Sequence, residues 1–291
     1  MLLRNILKNG IISDGDWDGV FATGLLINWA YSYGIIPSFY FPSPVELKNL
    51  SVIEKVSVEI VPTKTVVKNS IIFDHHEGPQ TDTYENNNIW IYGKVKSVAR
   101  LVANFLEVDV DEKWILAIDE VDSANIKSEL SKILFKAYQA DVTHFPRDKI
   151  AKLVAEFKFN ELLDVCKELA ERYEVQEKIA DKLIKNSYEM FPNVKYFFYK
   201  EGEEGAKRIA MIKLEDKNDI VIAIGKKVDT YLLSIGTKKS NIDLRPLFEE
   251  ARKKGYNAGG RENIGGIQSA NNIDKILDFL KENIKKLYIR E

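Results

Sequence analysis

Cysteine is nearly absent from this chain: Cys166 stands alone among 291 residues, so no internal disulfide can form. Its setting, FNELLDVCKELAERY, reads as one face of a helix, and a reducing, cytoplasmic location is the expectation. Long apolar runs are missing too. No stretch approaches the roughly 20 residues of a membrane span, and MLLRNILKNG turns polar too early for a secretory signal, so no membrane is expected. Charge of one sign is also lacking: 42 basic and 44 acidic side chains leave a net charge of -2. That balance argues against long, tight duplex binding while leaving room for a local basic groove. What remains is 45% hydrophobic, 30% charged and 11% aromatic, the composition of a folded enzyme or module. Abundant Lys, Glu and Ile with few Gln and Met lean toward a thermophile.

The first 125 residues alternate short apolar runs with helical patterns, as parallel strands joined by crossover helices do. Strands are expected over residues 9–13, 38–41, 56–61 and 70–73, with helices over 20–33 and, capped by Ser97, as far as Leu106. The expected fold class is α/β: a doubly wound, mostly parallel sheet domain over 1–125, a helical connector over 126–193, and a second, smaller α/β domain with a mixed sheet over 194–291. In the last of these, FPNVKYFFYK, KRIAMIKL, DIVIAIG and DTYLLSIG read as four strands, followed by helices over 244–254 and 273–287.

Ligands of such sheets lie beyond the carboxyl ends of the strands, and both Ser13 and Phe73 are followed by metal-binding residue types. Asp14, Asp16 and Asp18 in DGDWDG place three carboxylates in one turn, as hard divalent cations require. An EF-hand would need Glu eleven residues after Asp14, where Leu25 stands, and a helix where a strand is expected. The remaining bland reading is an acidic helix start. Asp74-His75-His76 follows SIIF and holds two of the three histidines of the chain. One imidazole suits a metal, the other a phosphate, and the acid suits orienting a ring. His144, before a proline, reads as structural. Asp119 and Asp122 in DEVDS follow WILAI and could complete a metal shell, or lie on a solvated helix end.

DGDWDG, FDHHEG and a later acid after an apolar run together resemble the DHH phosphoesterase superfamily, which includes RecJ-type nucleases, nano-RNases and family II pyrophosphatases. The resemblance continues in residues 255–266, similar to the glycine-rich signature of the DHH-associated domain, and so spans nearly the whole chain. It implies metal ligation by Asp14, Asp16, His75 and Asp122, with Asp18 and Asp119 as further candidates. It also implies catalytic roles for His76, at the scissile phosphate, and for Asp74. Gly259, Gly260, Arg261, Gly265 and Gly266 would bind substrate. The implied cofactor is Mn²⁺ or Mg²⁺, one or two ions, with mixed imidazole and carboxylate favouring Mn²⁺.

Three positions depart from the family pattern. Relatives carry a metal-bridging Asp at the end of the strand before DHH; VSVEIVPT offers Pro62 or Thr63 there, and Glu59 reads as interior to the strand. Arg261 stands where the family has the histidine of GGGH, and no histidine precedes Asp14. The implied activity is metal-dependent phosphodiester cleavage, by an exonuclease that releases mononucleotides from single-stranded DNA or RNA. A nano-RNase or (cyclic) dinucleotide phosphodiesterase is the first alternative, and a non-catalytic RecJ-like replication or repair scaffold the second. Partners would be single-stranded nucleic acid or a short oligonucleotide, with a homo-oligomer or a repair partner also compatible. Trp17, Tyr92, Lys94, Lys96, Lys226, Lys227, Lys238 and Lys239 are candidate strand contacts.

Overall fold

A computed structural model describes residues 2–62, 65–76, 86–140, 145–270 and 272–288, so His144 and Thr63 lie outside the described residues. The chain divides into two compact units, Met1–Glu171 and Arg172–Glu291. In order, the first contains α1 (Leu2–Leu7), β1 (Ile11–Ser13), α2 (Trp17–Tyr31), β2 (Phe39–Tyr40), α3 (Pro44–Leu47), β3 (Ser51–Ile53), β4 (Val56–Val58), β5 (Val66–Lys68), β6 (Ile71–Asp74) and β7 (Ile89–Tyr92). It continues through α4 (Val98–Leu106), α5 (Glu112–Asp122), α6 (Glu129–Ala140), α7 (Arg147–Ala155) and the start of α8 (Phe159–Lys185).

Its main sheet has the order β2-β1-β4-β6-β7, and every pair is parallel. The central strands β1, β4 and β6 are buried throughout, which is why they read as unbroken apolar runs. From β1 the chain turns outward to β2, and it then returns to the other side of β1 to lay down β4. The order therefore reverses between β1 and β4, the switch point at which open α/β sheets bind ligands. The register aligns Ser13 with Val58 and Val58 with Phe73. The residues that follow these three, Asp14, Glu59 and Asp74, emerge together at the switch point.

Helix α2 is buried on nearly all sides, and Phe21 at its centre is fully enclosed. Truncating Phe21 to Ala would cost about 3–5 kcal/mol. One core joins α2, α4, α5, α6 and α7 to one face of the sheet, while a smaller cluster of Ile12, Ile60 and Ile72 with Val52 and Val67 closes the other face beneath the β3–β5 pair. The segment expected as a connector divides. Leu134, Ala137, Ile150, Val154, Leu162 and Cys166 belong to the first unit's core, whereas Ala180 and Leu183 of α8 pack into the second unit.

The second unit adds β8 (Tyr188–Phe191), β9 (Val194–Tyr199), α9 (Glu204–Glu215), β10 (Ile220–Lys227), β11 (Thr230–Gly236), α10 (Arg245–Lys253), β12 (Asn257–Gly260), β13 (Ile264–Ser269) and α11 (Ile273–Leu287). The sheet order is β12-β13-β11-β10-β9-β8, parallel only between β9 and β10. KRIAMIKL, expected as a strand, lies in α9. Two parallel neighbours need a crossover, and Ala206, Ile209, Ala210 and Leu214 fall on one buried helical face. The glycine-rich segment, expected as a loop, forms the β12–β13 hairpin.

Candidate metal centre

Three strand ends deliver the acids. Asp14 follows β1, Asp74 ends β6, and Glu59 follows β4 directly. The expectation that β4 runs on to Val61, leaving no acid at its end, is corrected here. The strand stops at Val58, Glu59 takes a left-handed backbone (φ 60°), and its N–H donates to the Phe73 carbonyl at 3.0 Å. That conformation costs a residue with a side chain about 1–2 kcal/mol. It turns the carboxylate of Glu59, only 1% exposed, into the acidic cluster.

The described residues contain three groups able to hold an ion, with the ligand atoms of each group within 4.8 Å of one another: Asp14, Asp16 and Glu59; Glu59, His75 and His76; Asp18, His75 and Asp122. Glu59 and His75 each belong to two of them. Asp16 is also the N-cap of α2, accepting the Gly19 N–H at 2.9 Å. The metal reading and the helix-start reading of DGDWDG thus describe the same side chain.

His75 is oriented from behind. Its Nδ1 is 3.2 Å from the Val95 carbonyl, so with the proton there Nε2 presents a lone pair. Nε2 lies 3.2 Å from Glu59, 3.4 Å from Asp18 and 3.5 Å from Asp122. His76 is largely exposed, and its Nδ1 is 2.9 Å from Asp74, which leaves Nε2 as the outward atom. Asp18 is engaged elsewhere as well: its two oxygens accept the N–H groups of Val98 and Ala99 at 2.6 and 2.7 Å, capping α4. Burial first, then Glu59, Asp16 and Asp122, push its pKa well above the ordinary carboxylate value. Asp122, the last residue of α5, is raised mainly by burial.

Asp119 lies outside all three groups. Its carboxylate accepts from Ser97 Oγ at 2.7 Å and Arg100 Nε at 2.8 Å, tying α5 to α4. Trp17, a candidate strand contact, is core: it is 2% exposed and its indole donates to the Leu134 carbonyl. Lys238 and Lys239 pair with Asp216 and Asp219.

In the second unit the hairpin glycines divide by face. A Cβ on Gly260 or Gly265 would fall within 2.5 Å of the Phe248 ring, so these two are glycine because β12 and β13 press against α10. Gly259 and Gly266 pair across the strands on the opposite face, where a Cβ on Gly259 would meet nothing. Arg261 is exposed at the turn, its N–H donating to the Ile264 carbonyl.

The donor set of the first unit fits a divalent cation. Three carboxylates, those of Glu59, Asp18 and Asp122, lie within 3.5 Å of the buried His75 Nε2, and Asp14 and Asp16 are grouped with Glu59, a crowding of like charges that a cation would offset. Oxygen donors with imidazole suit divalent cations such as Mn²⁺ or Mg²⁺.

No protein-family model matches the sequence, and no curated protein does either. Solved structures do match. The pGpG-specific phosphodiesterase PggH of Vibrio cholerae superposes with a TM-score of 0.66 at 18% identity, over 96% of this chain and 99% of its own. CDC45 from Entamoeba histolytica gives 0.63 at 9% identity, over 97% of each chain. The manganese-bound exonuclease RecJ gives 0.59 at 13% identity, over all of this chain and 95% of its own. A mostly parallel sheet unit followed by a mixed-sheet unit is thus common to all of them, and the chain has the fold of the DHH proteins.

Proposed function

We propose that this chain is a metal-dependent phosphodiesterase of the DHH type that cleaves dinucleotides or short single-stranded oligonucleotides to mononucleotides. The observation that carries this reading is Glu59, an acid shared between two ligand groups at the sheet's switch point. An acid there stands at the end of the strand where the DHH pattern carries its metal-bridging Asp.

Asp14, Asp16, Glu59, His75 and Asp122 would hold Mn²⁺ or Mg²⁺. Cations bound there would supply a water nucleophile at neutral pH and offset charge on the phosphoryl oxygens. His76 would meet a phosphoryl oxygen on the exposed side of its ring, while Asp74 holds the ring by Nδ1. Asp18 anchors α4 beneath His75 and keeps the imidazole facing the acids. In the second unit, Gly259 and Gly266 leave a bare strip of sheet beside Ser234, whose Oγ is 3.2 Å from Lys207 Nζ. Burial lowers the Lys207 pKa, and its ammonium, over the Tyr199 ring, is suited to a phosphate.

The small substrate is favoured over a long strand because two supports for a stacking groove are gone: Trp17 is core and Lys238 and Lys239 are paired. A processive exonuclease, as the RecJ resemblance suggests, is the second reading. A non-catalytic scaffold is disfavoured, since a chain released from metal binding has no use for a left-handed, buried Glu59. Purified protein with Mn²⁺ should hydrolyse a linear dinucleotide faster per end than a labelled 20-mer strand. No release of mononucleotide from either substrate, with Mn²⁺ or Mg²⁺, would refute the proposal, and faster attack on the long strand would select the exonuclease.

A further inference from the structure

The turn that carries Asp14 and Asp16 is held from outside. Gly15 between them has φ 81°, and its carbonyl accepts from Arg147 Nε at 2.5 Å, 132 positions downstream. A Cβ at Gly15 would stand 2.7 Å from that nitrogen and 2.9 Å from Arg147 Cδ, so glycine permits both the left-handed backbone and the arginine's approach.

The arginine is itself fixed. It opens α7, and its own N–H donates to the Phe145 carbonyl at 2.8 Å. Its guanidinium lies 5.7 Å from the Phe145 ring, and the Tyr138 hydroxyl accepts a hydrogen bond from it. Phe145 packs edge-on against Tyr138 at 5.0 Å and against Trp17 at 4.9 Å. Trp17 is the residue after Asp16, pinned to α6 through the Leu134 carbonyl at 2.7 Å. The acidic turn is therefore clamped on one side by Arg147 and on the other by its own tryptophan.

We infer that Arg147 is a positioning residue that sets the Asp14–Asp16 turn before a cation binds, an inference that rests on the metal-centre reading above. A guanidinium near acids has a rival role: a bare positive charge that competes with the cation. The two roles differ in sign. Loss of positioning weakens cation binding, whereas loss of a competing charge strengthens it.

The test is calorimetric titration of metal-free wild type, Arg147→Lys and Arg147→Met with MnCl₂, with thermal unfolding as the control for folding. Both variants should bind Mn²⁺ about tenfold or more weakly, the range for residues that orient metal ligands. Lysine should not rescue, because it keeps the charge and loses the Nε donor. Turnover at saturating Mn²⁺ should return close to the wild-type kcat with substrate KM unmoved. Unchanged or tighter binding in Arg147→Met, a lysine variant equal to wild type, or a kcat that manganese fails to restore would each overturn the inference. Wild type that binds no Mn²⁺ would remove this inference together with the proposed function, whereas wild-type binding with unaffected variants would remove this inference alone. Should the Arg147 variants fail to fold, Tyr138→Phe, which deletes only one partner of the guanidinium, should weaken binding in the same direction by less. No weakening there would overturn the inference as well.

Discussion

Acids at strand ends and acids at a helix end behave differently in this protein. Asp14, Asp16 and Glu59 follow aligned strands, and all three join one ligand group. Of the acids ending α5, Asp122 reaches the centre, Asp119 binds Ser97 and Arg100, and Glu120 accepts from Ser128 and Ser131, which lower its pKa to about 2. Parallel register puts successive strand ends at one height, so an acid following any central strand meets the others. On a helix the direction changes by about 100° per residue, so neighbouring acids part company.

Substitutions can break this contrast. On the proposed reading, Glu59→Ala or Asp16→Ala should lower turnover by about a thousandfold or more, since each takes one donor out of the Asp14, Asp16 and Glu59 group. Assay at saturating Mn²⁺ checks this, and near-normal rates in Glu59→Ala would return Glu59 to a structural role. Asp122→Ala should cost less, about a hundredfold, because Asp122 belongs to a single group and is partly exposed. Asp119→Ala should leave Mn²⁺ affinity unchanged and instead lower stability by about 1–3 kcal/mol, measured in urea, by removing the acceptor of the Ser97 hydroxyl and of Arg100 Nε, while Arg100 keeps Glu112. Reduced metal affinity in that variant would erase the distinction between the two aspartates.

A subtler effect concerns pH. Asp18 and Asp122 have folded pKa values raised above the ordinary 3.8. Their contribution to stability is present in full below that value and is lost as pH rises through the raised ones. Metal-free protein should therefore melt at progressively lower temperature as pH rises above the ordinary carboxylate range, and saturating Mn²⁺ should flatten the trend. Glu46 and Glu120, lowered to about 2, finish titrating below this window and do not mask it. A melting temperature independent of pH without metal would contradict the picture of crowded, buried acids.

Much of this was legible in the sequence, for physical reasons. DGDWDG and FDHH stand directly after short apolar runs, and strand ends are where such sheets do chemistry. Glu59 was not legible, because VSVEIV has the composition of an unbroken strand and nothing in it announces a left-handed glutamate. KRIAMIKL misled for a related reason: its apolar residues suit either period, and the decision came from a crossover that two parallel strands require. The glycines of the hairpin were recognised as a set, but their division between Phe248 and the open face depends on a register that only pairing reveals.

A Glu59 that belongs to two ligand groups implies, on the proposed reading, two ions per chain. This is tested most directly by the stoichiometry of Mn²⁺ bound to metal-stripped wild type and to Glu59→Gln, read by calorimetry with elemental analysis of the loaded protein. Two ions per wild-type chain and a loss of at least one in the variant are expected. Equal stoichiometry in the two proteins, or none in wild type, would contradict it.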